Sequence, residues 1–416
     1  MTEEIKQRIE TIKAGKVPDG YKRTVVGTVP NEWENKRLSE LLKFQNGVNA
    51  DKEKYNSGIK MISVMDILSN SPIFYDNIRG HVDIDEKTLN NYSVTYGDIL
   101  FQRSSETVED AGKSNVYMDE ENIATYSGFV IRGKKVSDYN PFYLNELLKS
   151  SKVRQQIIKY SAGSQHINVS QDSLSKVNVC FTNKHEQNRI AEILLKWDKV
   201  IELQEKLIEK LELQKKALMQ KLLKPKEEWK PVPLKKILKE RKTYSTKGQE
   251  YIHVTLSKQG ICDKTDQYER DFLVTSENKG YKITKLNDLC YNPANLKFGV
   301  ICLNKYGSAI FSPIYVTFEI SEIYNCDFIG AVLASETFIN KIRRFEEGSL
   351  YERQAVKPND FIKDTILIPD RSVQDDIAKA ILKIDKQIRL HNEKLNLLKY
   401  QQKAMQQLLL TGIVRV

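Results

Sequence analysis

Two long segments of the chain carry apolar residues at alternating steps of four and three. Residues 187–222 and 374–409 keep this spacing without a gap, at a constant offset of 187 residues. A seven-residue apolar repeat of this length is typical of a coiled coil rather than of an ordinary surface helix. The apolar positions, here called the seam, are Ile190, Leu194, Trp197, Ile201, Ile208, Leu211, Leu218 and Leu222, then Ile377, Ile381, Ile384, Ile388, Leu395, Leu398, Met405 and Leu409.

Polar residues interrupt the seam at the same two places in both segments. They are Gln204 and Lys215 in the first copy and His391 and Gln402 in the second. Polar residues inside such a seam set helix register and partner choice at some cost in stability. Two unrelated amphipathic helices would not share both identities and interruptions, so we predict that these two helices pair with each other.

The repeat extends into the segments that precede the helices. A tryptophan, a short motif with an aspartate, an aromatic-led helix and a Gly-Ser pair recur in the same order. They begin at Trp33, Gly97, Phe142 and Gly163 in the first copy and at Trp229, Asn287, Phe328 and Gly348 in the second. Between these landmarks the copies share little, so a framework repeats and its contents differ.

Each of the two modules is predicted to mix strands and helices. Segments rich in Val, Ile, Tyr and Phe between Gly, Asn or Ser are typical of strands, and Pro141 is typical of a helix start. The predicted strands are 59–67, 94–103 and 125–132, then 251–256, 299–303 and 309–318; the predicted helices run from Pro141 to before Gly163 and over 328–345.

These patterns predict an α+β protein with a pseudo-twofold internal repeat. Two globular α/β modules alternate with two long helices, and a Pro-broken linker occupies 224–233. The predicted boundaries are 1–182, 183–224, 225–370 and 371–416.

The chain is basic, with a formal net charge of +10 and a pI near 9.0. Between Lys196 and Lys242 there are 15 Lys/Arg and 8 Asp/Glu. Such a balance favours a polyanionic partner, most commonly nucleic acid. A Lys-rich soluble bacterial protein without such a partner would show a similar charge.

Other classes of protein lack support in the sequence. There is no apolar run of membrane-spanning length and no signal-peptide core at the first residues, which predicts a cytoplasmic protein. The five cysteines form no Cys-x-x-Cys and have no His at ligand spacing, so neither a zinc site nor a disulfide framework is predicted.

The search for catalytic motifs yields only weak matches. The segment at Gly112-Lys113-Ser114 ends like a phosphate loop, but Thr107 stands where the first glycine belongs. Asn292-Pro293 lacks the second proline and the aromatic of an amino-methyltransferase loop. Pro18-Asp19 with Glu34 and Lys36 matches a loose nuclease pattern that arises easily by chance in so charged a chain. We therefore predict binding rather than catalysis.

The ordered landmarks resemble the specificity (S) subunit of type I restriction–modification enzymes over essentially the whole chain. The resemblance lies in Trp33, in Gly97 through Thr107 (Gly-Asp-Ile-Leu-Phe-Gln-Arg-Ser-Ser-Glu-Thr), in Gly163 through Ile167, and in Gln187-Asn188-Arg189-Ile190-Ala191. Each motif alone is weak evidence for this resemblance, whereas the ordered set, which occurs twice in the chain, is specific. In the second copy Asn287 and Cys290 replace Gly and Leu, so we expect the loop after that strand to have a different shape.

The resemblance implies a non-catalytic DNA-recognition subunit. Each target-recognition domain would read one half of a bipartite asymmetric site, and the two helices would form an antiparallel coiled coil that sets the spacer. Two methyltransferase (M) subunits would dock, with restriction/translocase (R) subunits in the full complex. S-adenosylmethionine, ATP and Mg²⁺ would belong to those partners, and no cofactor or metal to this chain.

Base reading requires donors and acceptors that match base edges. Polar residues in loops beside the landmarks are therefore our candidate DNA-binding residues, although several would contact only phosphates. They are Gln102, Arg103, Ser104, Lys113 and His166 in the first module and Asn292, Asn295, Lys297, Tyr351, Arg353 and Gln354 in the second.

Several leucines of the long helices lie off the seam and are candidates for burying the M subunits. They are Leu195, Leu203, Leu207, Leu382 and Leu390. Two other functions remain open at this point: a stand-alone DNA nuclease or methyltransferase, and a coiled-coil scaffold without a role on DNA.

Overall fold

The computed structural model describes residues 2–69, 71–163, 166–245, 251–258, 260–263, 280–346 and 355–416. The chain divides into two compact units. The first unit comprises residues 1–203 and 395–416, and the second comprises residues 204–394. Each unit therefore contains one module and one part of each long helix.

The two long helices are α8 and α13, and the others are short. In chain order the helices are α1 (Glu3–Lys13), α2 (Leu38–Leu41), α3 (Val64–Ile67), α4 (Glu86–Asn91), α5 (Pro141–Lys149), α6 (Ser151–Lys159), α7 (Gln171–Ser175), α8 (Lys184–Leu222), α9 (Leu234–Ile237), α10 (Cys326–Leu333), α11 (Glu336–Ile342), α12 (Pro358–Phe361) and α13 (Arg371–Leu410). Single 3₁₀ turns occupy Lys52–Lys54, Tyr75–Asn77, Leu296–Phe298 and Arg343–Phe345.

The first module contains short strands in small sheets. They are β1 (Tyr21–Thr24), β2 (Gly27–Pro30), β3 (Glu34–Arg37), β4 (Leu42–Asn46), β5 (Tyr55–Ile62), β6 (His81–Val82), β7 (Ile99–Gln102), β8 (Ser104–Ser105), β9 (Ser114–Val116), β10 (Thr125–Tyr126), β11 (Val130–Lys135), β12 (Ile167–Asn168) and β13 (Asn178–Phe181). An antiparallel sheet has the order β4-β11-β7-β9, and a second sheet, β10-β5-β6, pairs β10 parallel to β5.

The second module follows the same plan. Its strands are β14 (Lys230–Pro233), β15 (Leu238–Glu240), β16 (Tyr244–Ser245), β17 (Ile252–Ser257), β18 (Gly260–Asp263), β19 (Tyr281–Thr284), β20 (Leu289–Tyr291), β21 (Ile301–Leu303), β22 (Ala309–Phe311), β23 (Val316–Ile320) and β24 (Thr365–Ile368). Its antiparallel sheet has the order β15-β23-β20-β21, and its second sheet, β16-β19-β22-β17-β18, pairs β17 parallel to β22.

The two modules therefore repeat strand by strand where the sequence repeats. The sheet β4-β11-β7-β9 corresponds to β15-β23-β20-β21, and the parallel pair β5/β10 corresponds to β17/β22. The two-stranded pair β3/β13 corresponds to β14/β24. The predicted α+β class with an internal repeat is confirmed.

Several predicted elements of the first module are shorter than expected. Residues 64–67 leave the strand β5 and form α3, because Ser63 and Asp66 form a capping box. The strand predicted over 125–132 breaks between β10 and β11, and the helix after Pro141 breaks at Ser150, which has an extended backbone (ψ 145°).

In the second module the predicted strand 309–318 and the predicted helix 328–345 are likewise each divided into two. The prediction of a linker over residues 224–233 was wrong in part. Lys230–Pro233 is the strand β14, which pairs antiparallel with Thr365–Ile368, so the second module begins within the proposed linker. Proline is compatible with this edge position, because β14 has only one partner strand.

The seam residues of α8 and α13 are buried or half-buried, and none is exposed. Ile190, Leu194 and Leu409 belong to the hydrophobic core of the first module. Ile377 and Ile381 belong to the core of the second. The ends of the long helices are therefore structural parts of the modules as well as parts of the helix pair.

The polar residues of the seam have partners across the helix pair. In the second unit Gln204 Nε2 lies 2.9 Å from His391 Nδ1 and Lys215 Nζ lies 2.5 Å from Asp385 Oδ1. These contacts show that the two helix segments run antiparallel there. In the first unit Gln402 Nε2 donates to Asp198 Oδ1 at 2.5 Å, the repeat-related counterpart of the Lys215 contact.

A buried glutamine attaches each long helix to its module. In the first unit Gln187 Oε1 accepts a hydrogen bond from Asn140 N at 2.9 Å, and Gln187 Nε2 donates to Thr182 O at 2.7 Å. Asn140 in turn caps α5, because its Oδ1 accepts from Tyr143 N. A second bond joins Asn140 Nδ2 to Asn188 Oδ1 at 2.9 Å.

The second unit repeats this arrangement, which we call the glutamine clamp. Gln374 Oε1 accepts from Asn325 N at 3.0 Å, and Gln374 Nε2 donates to Pro369 O at 2.9 Å. Asn325 Oδ1 accepts from Phe328 N and so caps α10. Both glutamines are 3% exposed, which means that no water can substitute for a lost bond.

The segment after α13 is bound to the first unit by side-chain hydrogen bonds. Arg415 donates from Nε and Nη2 to the buried Glu186 at 2.6 and 2.9 Å, and Tyr21 Oη donates to Gly412 O at 2.7 Å. Burial raises the pKa of Glu186, but the bonds from Arg415 and Thr182 outweigh it and hold the pKa below the ordinary value. The carboxylate therefore remains charged and bound at neutral pH.

The glutamine clamp yields a stability prediction. We expect Gln187→Ala to destabilise the first unit by about 1–3 kcal/mol, because Asn140 N and Thr182 O would both remain buried without a partner. Hydrogen exchange should accelerate at the start of α5, and the melting temperature should fall. Gln401→Ala, on the exposed face of α13, is the matched control. Equal melting temperatures and exchange rates for the two variants would contradict the assigned role.

Candidate nucleic-acid interface

The turn before the landmark strand has the same backbone in both modules. Gly97 has φ 86° and Asn287 has φ 67°, both in the left-handed region that glycine and asparagine tolerate best. The replacement of Gly by Asn therefore leaves this turn unchanged. The expected difference in shape lies in the segment after the strand, where β7 leads into β8 whereas β20 leads into a 3₁₀ turn at Leu296–Phe298.

A buried aspartate organises each turn. Asp98 accepts hydrogen bonds from Thr95 N at 3.2 Å and from Lys135 N at 2.9 Å. Burial raises the pKa of Asp98, and these two backbone bonds oppose that rise. Asp288 accepts from Lys285 N at 2.7 Å and also pairs with Arg241 at 2.7 and 2.9 Å. Asp98 and Asp288 therefore stabilise the backbone of their turns, and their buried carboxylates are occupied by bonds within the module.

Gln102 and Asn292 must be removed from the candidate base readers. Gln102 is 6% exposed and donates from Nε2 to Ser104 O, and Asn292 is 8% exposed and accepts from Ala294 N. Both side chains lie at the end of the landmark strand and brace the following backbone. A side chain buried in this way cannot reach the edge of a base in a DNA groove.

Arg103 lines a cleft of about 470 Å³ in the first module, and Ser104 is bonded to Asn168 in its lining. Arg103 is half-buried, and its Nη1 donates to Gly128 O at 3.3 Å. Ser104 Oγ donates to Asn168 Oδ1 at 2.5 Å. The cleft, here called the amide cleft, is lined by Asn46, Arg103, Tyr160, Ala162, Asn168, Val169, Ser170, Gln171, Asp172 and Ser173.

Lys113 and His166 are exposed, as a DNA contact requires. Lys113 Nζ pairs with Asp110 Oδ1 at 2.5 Å. Both residues lie in a loop whose backbone is hydrogen-bonded by Arg154. Arg154 donates to the carbonyl oxygens of Glu109, Ala111 and Gly112 at 2.6–2.9 Å. Sequence reasoning missed Arg154, because an arginine on an amphipathic helix carries no local signal of such a role.

The candidates of the second module are only partly described. Asn295 is exposed beside Leu296–Phe298, and Lys297 lies with its Nζ 5.3 Å from the ring centroid of Phe298. Tyr351, Arg353 and Gln354 lie outside the described residues.

The off-seam leucines are all exposed. Leu203 is 55% exposed, Leu390 49%, Leu382 44%, Leu195 42% and Leu207 39%. Leu195 with Leu382, and Leu203 with Leu390, occupy equivalent positions of the internal repeat. Each long helix therefore exposes one copy of the same leucine pair, Leu195 and Leu203 on α8 and Leu382 and Leu390 on α13.

Other kinds of site find little support in the described part of the chain. No group of three or more His, Cys, Asp or Glu side chains there could hold a metal ion. None of its helices is both long enough and apolar enough to cross a membrane. The five cysteines are free, and burial raises the pKa of Cys290 well above its ordinary value, so that thiol remains protonated.

Comparison with known proteins gives a family match for the first module. Residues 30–213 match the family model for the type I restriction modification DNA specificity domain. The match covers the first module from Pro30, with its landmark strand, the amide cleft and the glutamine clamp, and continues along α8.

A curated relative carries the same designation. It is a type I restriction enzyme MjaX specificity subunit of Methanocaldococcus jannaschii, 28% identical over 208 residues. The match covers 49% of this chain and 48% of that protein, so the chain aligns with about half the length of the relative.

Two solved structures share the fold. A chain from a study of complex assembly and conformational transition in the type I restriction–modification system is 12% identical, with a TM-score of 0.58, covering 93% of this chain and 99% of that chain. The type I S subunit from M. genitalium is 13% identical, with a TM-score of 0.50, covering 91% and 96%. Both structures extend the likeness beyond the specificity domain to the second module and α13.

Proposed function

We propose that this chain is the DNA-recognition subunit of a type I restriction–modification complex. Each module reads one half of a bipartite, asymmetric site, and the chain itself performs no catalysis. The observation that carries this proposal is a duplicated framework with divergent contents, one copy of which matches the model of a DNA specificity domain.

The duplication explains why the target would be asymmetric. Two identical readers related by twofold symmetry bind a palindrome. Here the strand order, the turn at Gly97 or Asn287 and the glutamine clamp repeat, whereas the side chains after the landmark strand differ. Two readers of one design but different contents would recognise two different half-sites.

The charge and the long helices fit the same function. The net charge of +10 supplies the electrostatic attraction that duplex DNA requires. The 39 residues of α8 span about 58 Å, which exceeds one turn of duplex at about 34 Å. Paired with α13, this helix sets the length of the spacer between the half-sites.

The partners in this proposal are duplex DNA, two methyltransferase subunits and, in the complete complex, restriction/translocase subunits. S-adenosylmethionine, ATP and Mg²⁺ are bound by those subunits. The repeated, exposed leucine pairs support two copies of one partner, because each copy of the repeat offers the same apolar positions. Leu207 stands outside this pairing, since its counterpart is the exposed Lys394.

Two other functions predict different results. A stand-alone nuclease or methyltransferase would turn over DNA as the isolated chain. A scaffold without a role on DNA would show no salt-dependent affinity for duplex when the methyltransferase partner is present.

Exchange of one module is the direct test of the proposed function. We expect replacement of residues 33–181 by the same region of another specificity subunit to change one half-site and leave the other half-site unchanged. Because the glutamine clamp is part of both frameworks, the hybrid should fold. Methylome sequencing of cells that express the complete complex reports both half-sites at once.

The reciprocal exchange of the second module serves as the control and should change only the other half-site. If either exchange alters both half-sites, or if neither alters any, the two-reader proposal is wrong.

The leucine pairs give a test of partner docking. We expect Leu203→Glu with Leu390→Glu to abolish co-purification of the methyltransferase subunit, because a charge would be buried without a partner in the interface. Circular dichroism of the double variant should remain unchanged, since both side chains are exposed.

The matched control is Leu213→Glu with Tyr400→Glu. These residues are also repeat-related and are 69% and 74% exposed, but they lie outside the proposed docking positions. Unchanged stoichiometry in the first pair, or equal loss in both pairs, would contradict docking at Leu203 and Leu390.

A further inference from the structure

Arg103 occupies a position at which the two modules share a main-chain hydrogen bond and differ in side-chain chemistry. The main chain of Arg103 is held by Phe129 O, which accepts from Arg103 N at 2.9 Å, and by Val169 N, which donates to Arg103 O at 2.9 Å. In the second module Val356 N donates in the same way to Pro293 O at 3.3 Å. Arg103 and Pro293 are therefore structurally equivalent residues.

The residue before this position has the same role in the two copies. Gln102 and Asn292, one residue earlier, are both buried amides that brace their loops. Arginine in the first copy and proline in the second therefore stand just after a constant strand, where the two loops begin to differ. This is the kind of difference expected where each module contacts its own target.

The surroundings of Arg103 suit the edge of a base. Its guanidinium lines the amide cleft together with Asn46, Asn168 and Gln171, which offer both donors and acceptors. Among the described residues, the guanidinium makes one hydrogen bond, the long one from Nη1 to Gly128 O, which leaves Nε and Nη2 available there. Asp172, the acidic side chain among the described lining residues, pairs with Lys176 Nζ at 2.5 Å.

We infer that Arg103 is a specificity-determining residue that reads a guanine of the first half-site from the amide cleft. This inference rests on the proposed function and adds which base is read and which side chain reads it. A planar guanidinium presents two parallel N–H donors, which match O6 and N7 of guanine in the major groove. The half-buried, tethered arginine is pre-organised for this contact, since both sides of its backbone are fixed. Pro293 has no donor, so the second module reads its half-site by other side chains.

Methylome sequencing of the complete complex with Arg103→Ala and Arg103→Lys tests the inference. We expect both variants to become degenerate at a single guanine-containing base pair of the first half-site, with about 5- to 150-fold less discrimination there. The second half-site and the spacer should stay as in the wild type. Lys retains the charge but not the fork, so a base contact should fail in both variants.

Lys113→Ala is the matched control, since it removes an exposed cation from the same module. For a phosphate contact we expect weaker binding to all sequences and a smaller salt dependence, with no change of recognition sequence. Fluorescence anisotropy with specific and scrambled duplexes, over a series of salt concentrations, measures this directly.

Two outcomes would overturn the role of Arg103 while leaving the proposed function intact. One is an unchanged recognition sequence in both variants. The other is equal weakening on specific and scrambled duplexes, which would make Arg103 a phosphate contact. A wild-type complex that recognises no sequence at all would instead refute the proposed function, a result that module exchange would show independently.

Discussion

The glutamine clamp is the interaction on which each unit of this chain depends. A single buried amide joins the start of a long helix to the cap of a short one, through Gln187 and Asn140 in the first unit and Gln374 and Asn325 in the second. Because the amide both accepts and donates, it fixes the direction of the helix as well as its attachment. The hydrophobic residues that follow on α8 and α13 then pack into the module core rather than against solvent.

This attachment allows the contents of a module to change without loss of the fold. The clamp, the turn with its buried Asp98 or Asp288, and the sheet order are common to both copies. None of these elements includes the side chains that border the amide cleft. Evolution of a new half-site can therefore act on the loops, while the contacts that stabilise the fold remain unchanged. Separation of stability from specificity is what a modular DNA reader requires.

Much of the fold could be predicted because it depends on periodic and repeated features. The seam predicted both long helices, and the repeated landmarks predicted two modules of one design. The glutamine of each helical motif was visible in the sequence as a repeated residue, but its partner was not, because Asn140 lies 47 residues away.

The candidate site was predicted less well, since loop position does not reveal burial. Gln102 and Asn292 follow a landmark strand just as Arg103 does, yet their side chains turn inward and bond to their own loops. Arg154 supports a loop from a helix 42 to 45 residues away in sequence, which no local pattern could indicate. The strand β14 within the expected linker likewise depends on a distant segment, since it pairs with β24.

The central claim is that one chain carries two different readers on one repeated frame. The most direct measurement is methylome sequencing of the native strain with and without this gene. The account predicts a single methylated motif that disappears on deletion, made of two unlike half-sites separated by an unspecified spacer. A palindromic motif, a continuous motif without a spacer, or a methylome unaffected by the deletion would contradict it.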